Sequence, residues 1–273
     1  MMTMKKKIKS YNFNIGLILT VLMVGLTVLG LFWTPYDPDA MQGSLKLQAP
    51  ALAHIFGTDQ FGRDVFSRVL VGAGNTLIIA LGTILIGGTI GMILGAVTGY
   101  FGGWLDEILM RVNDALAAFP SILVALVLIS LFGTGKYKVL LALGIGFIPS
   151  FARIVRGEFI RCREEDYVKS AILTGVPTLR ILFVHILPNI APVLLSSLTI
   201  GFNNAVLAEA SMSYLGIGVQ PPDASLGRML SEAQTYLSTG TWCAVFPGLF
   251  LILLVLEIGL LGEGILDRFG GGR

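Results

Sequence analysis

The sequence is poor in charge. Only 13% of its 273 residues are Asp, Glu, Lys or Arg, compared with about 25% in soluble domains. Hydrophobic residues make up 54%, and the mean hydropathy is +0.80. This composition excludes an ordinary soluble domain and indicates a chain that lies in a membrane.

Cysteine and histidine are also scarce, with two of each. Cys162 and Cys243 fall on opposite sides of the membrane in the topology predicted below, so the sequence excludes a disulfide framework. No C-x-x-C or H-E-x-x-H motif occurs, and we predict no metal site. The net charge of +2 predicts no nucleic-acid partner.

Motifs for nucleotide binding and nucleophilic catalysis are missing. The stretch "GTGKYK" lacks the upstream glycine and the following Ser or Thr of a phosphate-binding loop, so Gly135 and Lys136 are predicted to form a turn. No G-x-S-x-G nucleophile motif is present. We therefore predict that the chain has no catalytic residues and binds no cofactor itself.

Long apolar runs, by contrast, are plentiful. About 20 apolar residues cross the roughly 30 Å hydrocarbon layer as a helix. The sequence therefore predicts an all-α polytopic membrane protein with six transmembrane helices, at 15–33, 74–99, 113–133, 138–156, 189–208 and 243–264. The first run could instead be a signal peptide, but its length and the following "WTPYDPDA" favour an uncleaved anchor.

The distribution of Lys and Arg predicts the orientation. Most of the 19 basic residues lie on one side if both tails, 1–14 and 265–273, are cytoplasmic. Residues 34–73 then form an outer segment, interpreted as a surface connector, ahead of a transmembrane domain at 74–264. A second outer segment near 209–242 is predicted as a partly re-entrant lid or a plain interfacial loop, with an amphipathic surface helix in "SLGRMLSEAQTYL".

Small residues form a stripe within the second span. Gly87, Gly91, Gly95 and Gly99 follow one another at four-residue steps, which places them on one helix face and lets another helix approach closely. Whether that helix belongs to this chain or to another is open. In the third span, Pro120 permits a kink.

The segment 164–189, "EEDYVKSAILTGVPTLRILFVHILPN", is too charged for a span and too apolar for a solvated loop. We predict two short helices on the cytoplasmic side. The first covers 158–174 and ends at Gly175 in a left-handed turn. The second opens near Pro177 and ends at Pro188. Their apolar stripe fits the inner leaflet or a groove on a soluble protein, and the near balance of charges favours the protein.

This segment resembles the cytoplasmic "EAA" loop of ABC importer permeases. Lys169, Ser170 and Ala171 take the Glu-Ala-Ala places, Gly175 takes the glycine, and Leu187 and Pro188 close the motif. The stretches "GTDQFGRDVFSR", "GYFGGWLDEILMRVNDALAAFPSIL" and "LAEASMSYLGIGVQPP" resemble the C-type membrane subunit of dipeptide, oligopeptide and nickel importers.

The resemblance implies the type I ABC importer permease fold, with a cytoplasmic coupling-helix loop near 157–188. It implies a bacterial cytoplasmic membrane, a homologous permease partner, an extracytoplasmic solute-binding protein, and two ATPase subunits that use ATP and Mg²⁺. The implied ATPase-docking residues are Asp166, Tyr167, Lys169, Ser170, Ala171, Gly175, Leu187 and Pro188. Lys169 stands where the family has an acid, so an ion pair through that acid is not expected.

Peptides are the expected substrate, with nickel or a metal chelate as the alternative. A self-sufficient secondary transporter is disfavoured because the halves show no internal repeat. Glu257 is an ionisable residue inside the sixth span, where charge is costly. We expect it to face the translocation path or the partner permease, or to be protonated. The alternative is a hydrated position near the inner surface.

Overall fold

A computed structural model describes the backbone of residues 2–269 and the side chains of residues 13–266. Within that range the chain is helical, and its only β-type pairing is an isolated bridge between Thr58 and Asp64. The predicted all-α class is confirmed. The α-helices are α1 Met2–Phe32, α2 Val65–Phe101, α3 Gly103–Ala117, α4 Ser121–Phe132, α5 Lys136–Arg163, α6 Asp166–Leu173, α7 Thr178–Arg180, α8 Leu187–Tyr214, α9 Leu226–Ala233 and α10 Trp242–Phe269.

Five of the described helical runs are long and apolar enough to cross a membrane. They are Phe13–Phe32, α2, α5, Thr178–Tyr214 and Trp242–Leu266 of α10. The pair α3 and α4 would supply a sixth span, but the two helices are bent by 85° relative to each other. The span predicted at 113–133 is therefore two helices rather than one, and the break lies at Pro120, where the sequence permits a kink. Pro120 has no backbone N–H and cannot continue α3, so the chain leaves that helix after Ala117 and restarts at Ser121.

Helix α2 begins at Val65 rather than at 74, because polar side chains cap it. The Asp64 carboxylate accepts hydrogen bonds from the backbone N–H of Ser67 at 2.8 Å and from the Ser67 hydroxyl at 2.7 Å. Such a cap satisfies backbone donors that the first turn of a helix leaves free. At 37 residues, α2 is about 55 Å long and reaches both ends of the bundle.

The two ends of α2 define the two ends of the bundle. At the Val65 end lie α9 and residues 33–64, and we call it the α9 end. At the Phe101 end lie α6 and the π-helical turn Ile181–Ile186, and we call it the α6 end. Helix α1 packs along α10, where a methyl group added at Gly16 would lie 2.6 Å from the backbone nitrogen of Leu261.

The glycine stripe of α2 lies against α5 of the same chain. A methyl group added at Gly91 would lie 2.6 Å from the Cβ of Phe151, and one at Gly95 would lie 2.5 Å from the carbonyl oxygen of Ala152. Methyl groups added at Gly87 and Gly99 would likewise lie 2.9 Å and 2.7 Å from carbonyl oxygens of the α5 backbone. The two helices pack backbone to backbone over four turns, so the neighbour that the sequence left open is α5.

Candidate functional site

The turn after α6 has the geometry that the sequence predicts for Gly175. Its φ is +74°, in the left-handed region that favours glycine. The N–H of Gly175 donates to the carbonyl of Ile172 at 3.0 Å, and the N–H of Val176 donates to that of Ala171 at 3.1 Å. This pair of bonds is a Schellman motif, which ends the helix and reverses the chain.

The helices on either side of this turn differ from the prediction. The expected helix 158–174 is two helices, because α5 continues to Arg163 and α6 starts at Asp166. The break lets Val168 and Ala171 of α6 join Phe159 of α5 in one buried cluster.

The expected second helix does not end at Pro188 either. The π-helical turn Ile181–Ile186 leads directly into α8. Pro188 lies in the first turn of α8, where a missing N–H breaks no hydrogen bond of that helix.

Most of the residues assigned to ATPase docking are accessible on the α6 end. Two are not: Ala171 is only 8% exposed and Leu187 is half-buried, and both pack in the cluster beneath α6. The exposed residues are Asp166, Tyr167, Lys169, Ser170, Gly175 and Pro188. The apolar stripe that was expected to need a partner is thus covered only in part: Val168 and Ala171 pack with this chain's own Ile181 and Ile186, whereas Tyr167 and Ile172 stay exposed.

Several apolar side chains around the Gly175 turn remain uncovered. Leu173 is 87% exposed and Leu179 is 69% exposed, on the two sides of the Gly175 turn, and Ile172 and Phe183 are also exposed. We call these four residues the tip patch. The sequence analysis assigned none of the four to ATPase docking, because it followed helical spacing, whereas the turn places Leu173 and Leu179 beyond the reach of the core. Their position next to "TGVP" was the available signal.

Charges on the α6 end pair mostly within the same segment. The ammonium nitrogen of Lys169 lies 3.6 Å from a carboxylate oxygen of Glu164, and both side chains are exposed. An exposed pair of this kind contributes about 0–1 kcal/mol. Burial, together with the neighbouring Cys162, raises the pKa of Tyr167 to about 12, so its phenol is neutral at physiological pH.

The α6 end is held to the bundle by arginine contacts. The Arg156 guanidinium donates two hydrogen bonds of 2.6 Å to the Asp106 carboxylate and so joins α5 to α3. Arg163 donates to the carbonyl of Tyr100 on α2 at 2.9 Å. Bidentate pairs of this kind fix orientation as well as distance. These contacts fix the last turns of α5 to α3 and to α2.

A recess lies on the face of the bundle formed by α4, α5 and α8. It consists of two adjoining hollows of about 220 Å³ and about 310 Å³, which share Phe147, Ser150 and Asn204. We call it the α5–α8 recess. The sequence analysis did not anticipate it.

Glu257 does not face this recess. Its side chain is fully enclosed within the chain, and neither carboxylate oxygen has a hydrogen-bond partner among the described residues. The helices that pack on α10 cover the residue, and the expected positions at the path, at a partner or at a hydrated surface stay predictions. A protonated Glu257 stays a prediction.

Residues 34–64 are more than a surface connector. The Arg63 side chain, 5% exposed, donates to Asp59 at 2.6 Å and to Glu232, at the end of α9, at 2.9 Å. Arg68 lies beside this pair and donates to Asp39 at 3.2 Å. This buried ionic cluster ties the connector to α9. The expected amphipathic helix is α9, and Leu226, Met229 and Ala233 form its buried face.

A second buried polar group joins α8 to α2. The Glu209 carboxylate is completely buried and accepts hydrogen bonds from Thr76 at 2.8 Å and from Ser213 at 2.6 Å. The Ser213 hydroxyl also accepts from the backbone N–H of Val219 at 3.0 Å. The segment after α8 is thereby fixed to the core at the α9 end.

Known proteins share both the sequence and the fold. The family model described as "binding-protein-dependent transport system inner membrane component" matches residues 87–270. A putative peptide transport system permease protein of Brucella suis is 41% identical over 97% of this chain and 90% of the relative. The chain belongs to this family. A dipeptide transport system permease protein of Haemophilus influenzae is 34% identical over 93% of this chain and 88% of the relative. A glutathione transport system permease protein of Pectobacterium atrosepticum is 37% identical over 90% of this chain and 82% of the relative.

The solved structures agree on the architecture of this permease. A chain of the MetNI methionine ABC transporter in an inward-facing conformation matches with a TM-score of 0.63 and 18% identity. The match covers 73% of this chain and 95% of that chain. At this identity the likeness shows the fold alone. The permease is a multi-pass membrane protein of the type I importer fold, as the sequence predicted.

Proposed function

We propose that this permease forms, with a homologous permease, the translocation path of an ATP-driven peptide importer. A solute-binding protein delivers the peptide, and two separate ATPase subunits supply the energy. This chain itself catalyses no reaction and binds no cofactor. The α6 end and both termini face the cytoplasm of a bacterial cell. The observation that carries the proposal is the tip patch.

The tip patch has the properties of a docking surface for a soluble protein. Its four apolar side chains project from α6, α7 and the π-helical turn Ile181–Ile186, on the two sides of the fixed Gly175 turn. Apolar helix residues that find no cover in their own chain are typical of a helix that docks into a groove. Val168 and Ala171 of α6 pack against Phe159 of α5 in one buried cluster, so a displacement of the docked segment would act on α5, which lines the α5–α8 recess.

A matched pair of glycine variants tests the docking geometry. Gly175→Val places a β-branched residue at φ +74°, which is strained by about 1–2 kcal/mol. Gly135→Val places the same residue at φ +133°, at the α9 end. A methyl group at either glycine meets no atom within 4 Å, so only the backbone conformation is disturbed. We expect copurification of the ATPases to be lost in the first variant and retained in the second.

A second pair tests the patch itself. Leu173→Asp puts a charge on the tip patch, and Leu52→Asp puts one on a fully exposed residue near the α9 end. Both substitutions leave the core intact, so both proteins should remain in the membrane at wild-type levels. If Leu173→Asp retains the ATPases as well as Leu52→Asp does, the tip patch is not the docking surface.

The relatives support peptides as the substrate class. Their names specify peptides, a dipeptide and glutathione, which all contain peptide bonds. Nickel or a metal chelate, the alternative from the sequence, gains no support from these names. Uptake of labelled di- and tripeptides by the assembled transporter, compared with uptake of ⁶³Ni, tests the assignment.

A further inference from the structure

The α5–α8 recess is lined by a polar stripe along α8. Ser197, Asn204 and Ser211 follow one another at seven-residue steps, which is two helical turns, and so lie on one face. All three line the recess, together with Ser150 of α5 and Ser121 at the start of α4. The recess therefore has a hydroxyl group on each of its three helices and one amide, on α8.

Two of these groups are both exposed and without a hydrogen bond to the described residues. Asn204 and Ser150 are exposed in the recess and make no hydrogen bond to any other described residue. By comparison, the hydroxyls of Ser197 and Ser211 are satisfied by α8 carbonyls at 2.8 Å and 2.7 Å. An asparagine amide offers two donors and one acceptor, and a serine hydroxyl offers a donor and an acceptor. This set matches the N–H and C=O groups of a peptide backbone.

The position of Asn204 makes contact with lipid unfavourable. It lies within the run Thr178–Tyr214, one of the candidate membrane spans. An unpaired amide in hydrocarbon costs several kcal/mol, so exposed polar groups at membrane depth face water or another protein. A concave surface with several converging polar groups favours water and a solute over a tightly packed helix.

The recess also carries no ionisable side chain. Its apolar walls come from Phe147, Phe151, Ile154 and Ile200, and its polar groups are hydroxyls and one amide. Gly201 leaves room for the ring of Phe151, because a methyl group at this glycine would lie only 2.6 Å from that ring. A site without charge should bind peptides with acidic, basic or neutral side chains with similar affinity.

We propose that the α5–α8 recess is this chain's half of the substrate path, where Asn204 and Ser150 hydrogen-bond the backbone amides of a short peptide irrespective of its side-chain charge. The inference rests on the proposed function, since it names the residues through which that function would operate. Beyond that function, the inference assigns a peptide-binding site to Asn204 and Ser150 and predicts that the site does not discriminate by the charge of the peptide's side chains.

Charge substitution at Asn204 tests the selectivity rule. The assembled transporter, with its ATPases and binding protein, takes up radiolabelled Ala-Glu-Ala, Ala-Lys-Ala and trialanine in proteoliposomes. We expect Asn204→Asp to lower the ratio of Ala-Glu-Ala to Ala-Lys-Ala uptake about tenfold relative to wild type, and Asn204→Lys to raise it about tenfold. The opposite signs separate a path effect from a folding defect, which would shift both ratios alike. Unchanged ratios in both variants overturn the proposal.

Thiol labelling provides a second readout that does not need transport. Asn204→Cys should react with a membrane-impermeant thiol reagent about tenfold faster than Leu85→Cys, because only the first faces water. Leu85 is 70% exposed on α2 and lies outside the recess, so it is a control for an exposed position. Cys162 and Cys243 are buried and give a low background. Equal rates at the two positions overturn the proposal even if the charged variants lose all uptake.

The two proposals fail in different ways. If the wild-type transporter takes up no peptide with ATP, but Asn204→Cys reacts rapidly, the peptide function fails and a water-filled recess remains. If the wild type imports trialanine, but Asn204→Cys reacts no faster than Leu85→Cys, the peptide function stands and the recess is not the path.

Discussion

The substitution Gly95→Ala tests the close packing of α2 on α5. The added methyl group would lie 2.5 Å from the carbonyl oxygen of Ala152 and 2.8 Å from the backbone nitrogen of Arg156. Both atoms belong to the α5 backbone and cannot rotate away. The helices must therefore separate by several tenths of an ångström, and that separation is transmitted to the neighbouring glycines.

The expected size of the effect follows from two opposing terms. Overpacking of a tight contact costs about 1–3 kcal/mol, while replacing glycine by alanine inside a helix favours folding by up to about 1 kcal/mol. The matched control is Gly157→Ala on α5, where the methyl group meets no atom within 4 Å. The control gains only the higher helix propensity of alanine and has no overpacking cost. The free energies of unfolding of the two variants should therefore differ by about 1–3 kcal/mol.

Unfolding of the detergent-solubilised protein, followed by the loss of helical circular dichroism during denaturant titration, measures this difference. We expect Gly95→Ala to unfold at a lower denaturant concentration than wild type and Gly157→Ala at the same or a higher concentration. If the two variants unfold at the same concentration, the backbone contact between α2 and α5 is not as close as the structure has it.

Two further substitutions test the buried polar groups at the α9 end, by the same unfolding measurement. Glu209→Ala leaves the buried hydroxyls of Thr76 and Ser213 without this partner, and we expect the free energy of unfolding to fall by about 2–5 kcal/mol. Glu209→Gln, which keeps an acceptor at this position, should lose less. Equal losses in the two variants would contradict a hydrogen-bonding role for Glu209. Arg63→Ala removes the hydrogen bonds to Asp59 and Glu232, although Arg68 stays within 4.0 Å of both carboxylates and Arg228 stays paired with Glu232 at 3.0 Å. We therefore expect a loss of about 1.5–3 kcal/mol, whereas Arg111→Ala, which breaks an exposed pair, should lose less than about 1 kcal/mol.

Helix number and close packing could be predicted from local patterns. Apolar runs locate the spans because lipid requires every spanning backbone group to be bonded within its own helix. The four-residue glycine steps indicated a close contact but not the identity of the second helix, since α2 and α5 are far apart in sequence. The average hydropathy of a sequence window stays high on both sides of Pro120, because a single proline changes it little. Hydropathy alone therefore could not reveal the 85° bend between α3 and α4.

The residues of the α6 end were predictable in part. Gly175 had a clear signal, because a left-handed turn between two helices favours glycine. Ala171 and Leu173 were harder to assign, since helical spacing alone does not say which side of a short helix the chain itself will cover. The fold buries Ala171 under the π-helical turn and leaves Leu173 in solvent.

The recess and the buried charges depended on tertiary structure. Ser197, Asn204 and Ser211 are periodic in the sequence, but their meaning comes from Ser150 on another helix. The partners Arg63 and Glu232 are 169 residues apart. A charged residue far from its counter-ion resembles an ordinary surface residue, which is why residues 34–73 were interpreted as a simple connector.

The central claim is that this permease transports peptides only as part of an ATP-driven assembly. The most direct measurement is uptake of radiolabelled trialanine into proteoliposomes that contain either the complete transporter or this chain alone. The account predicts accumulation by the complete transporter with the binding protein and ATP present, and none when ATP or the ATPases are left out. Uptake by this chain alone, without an ATPase, would contradict it and favour a self-sufficient carrier.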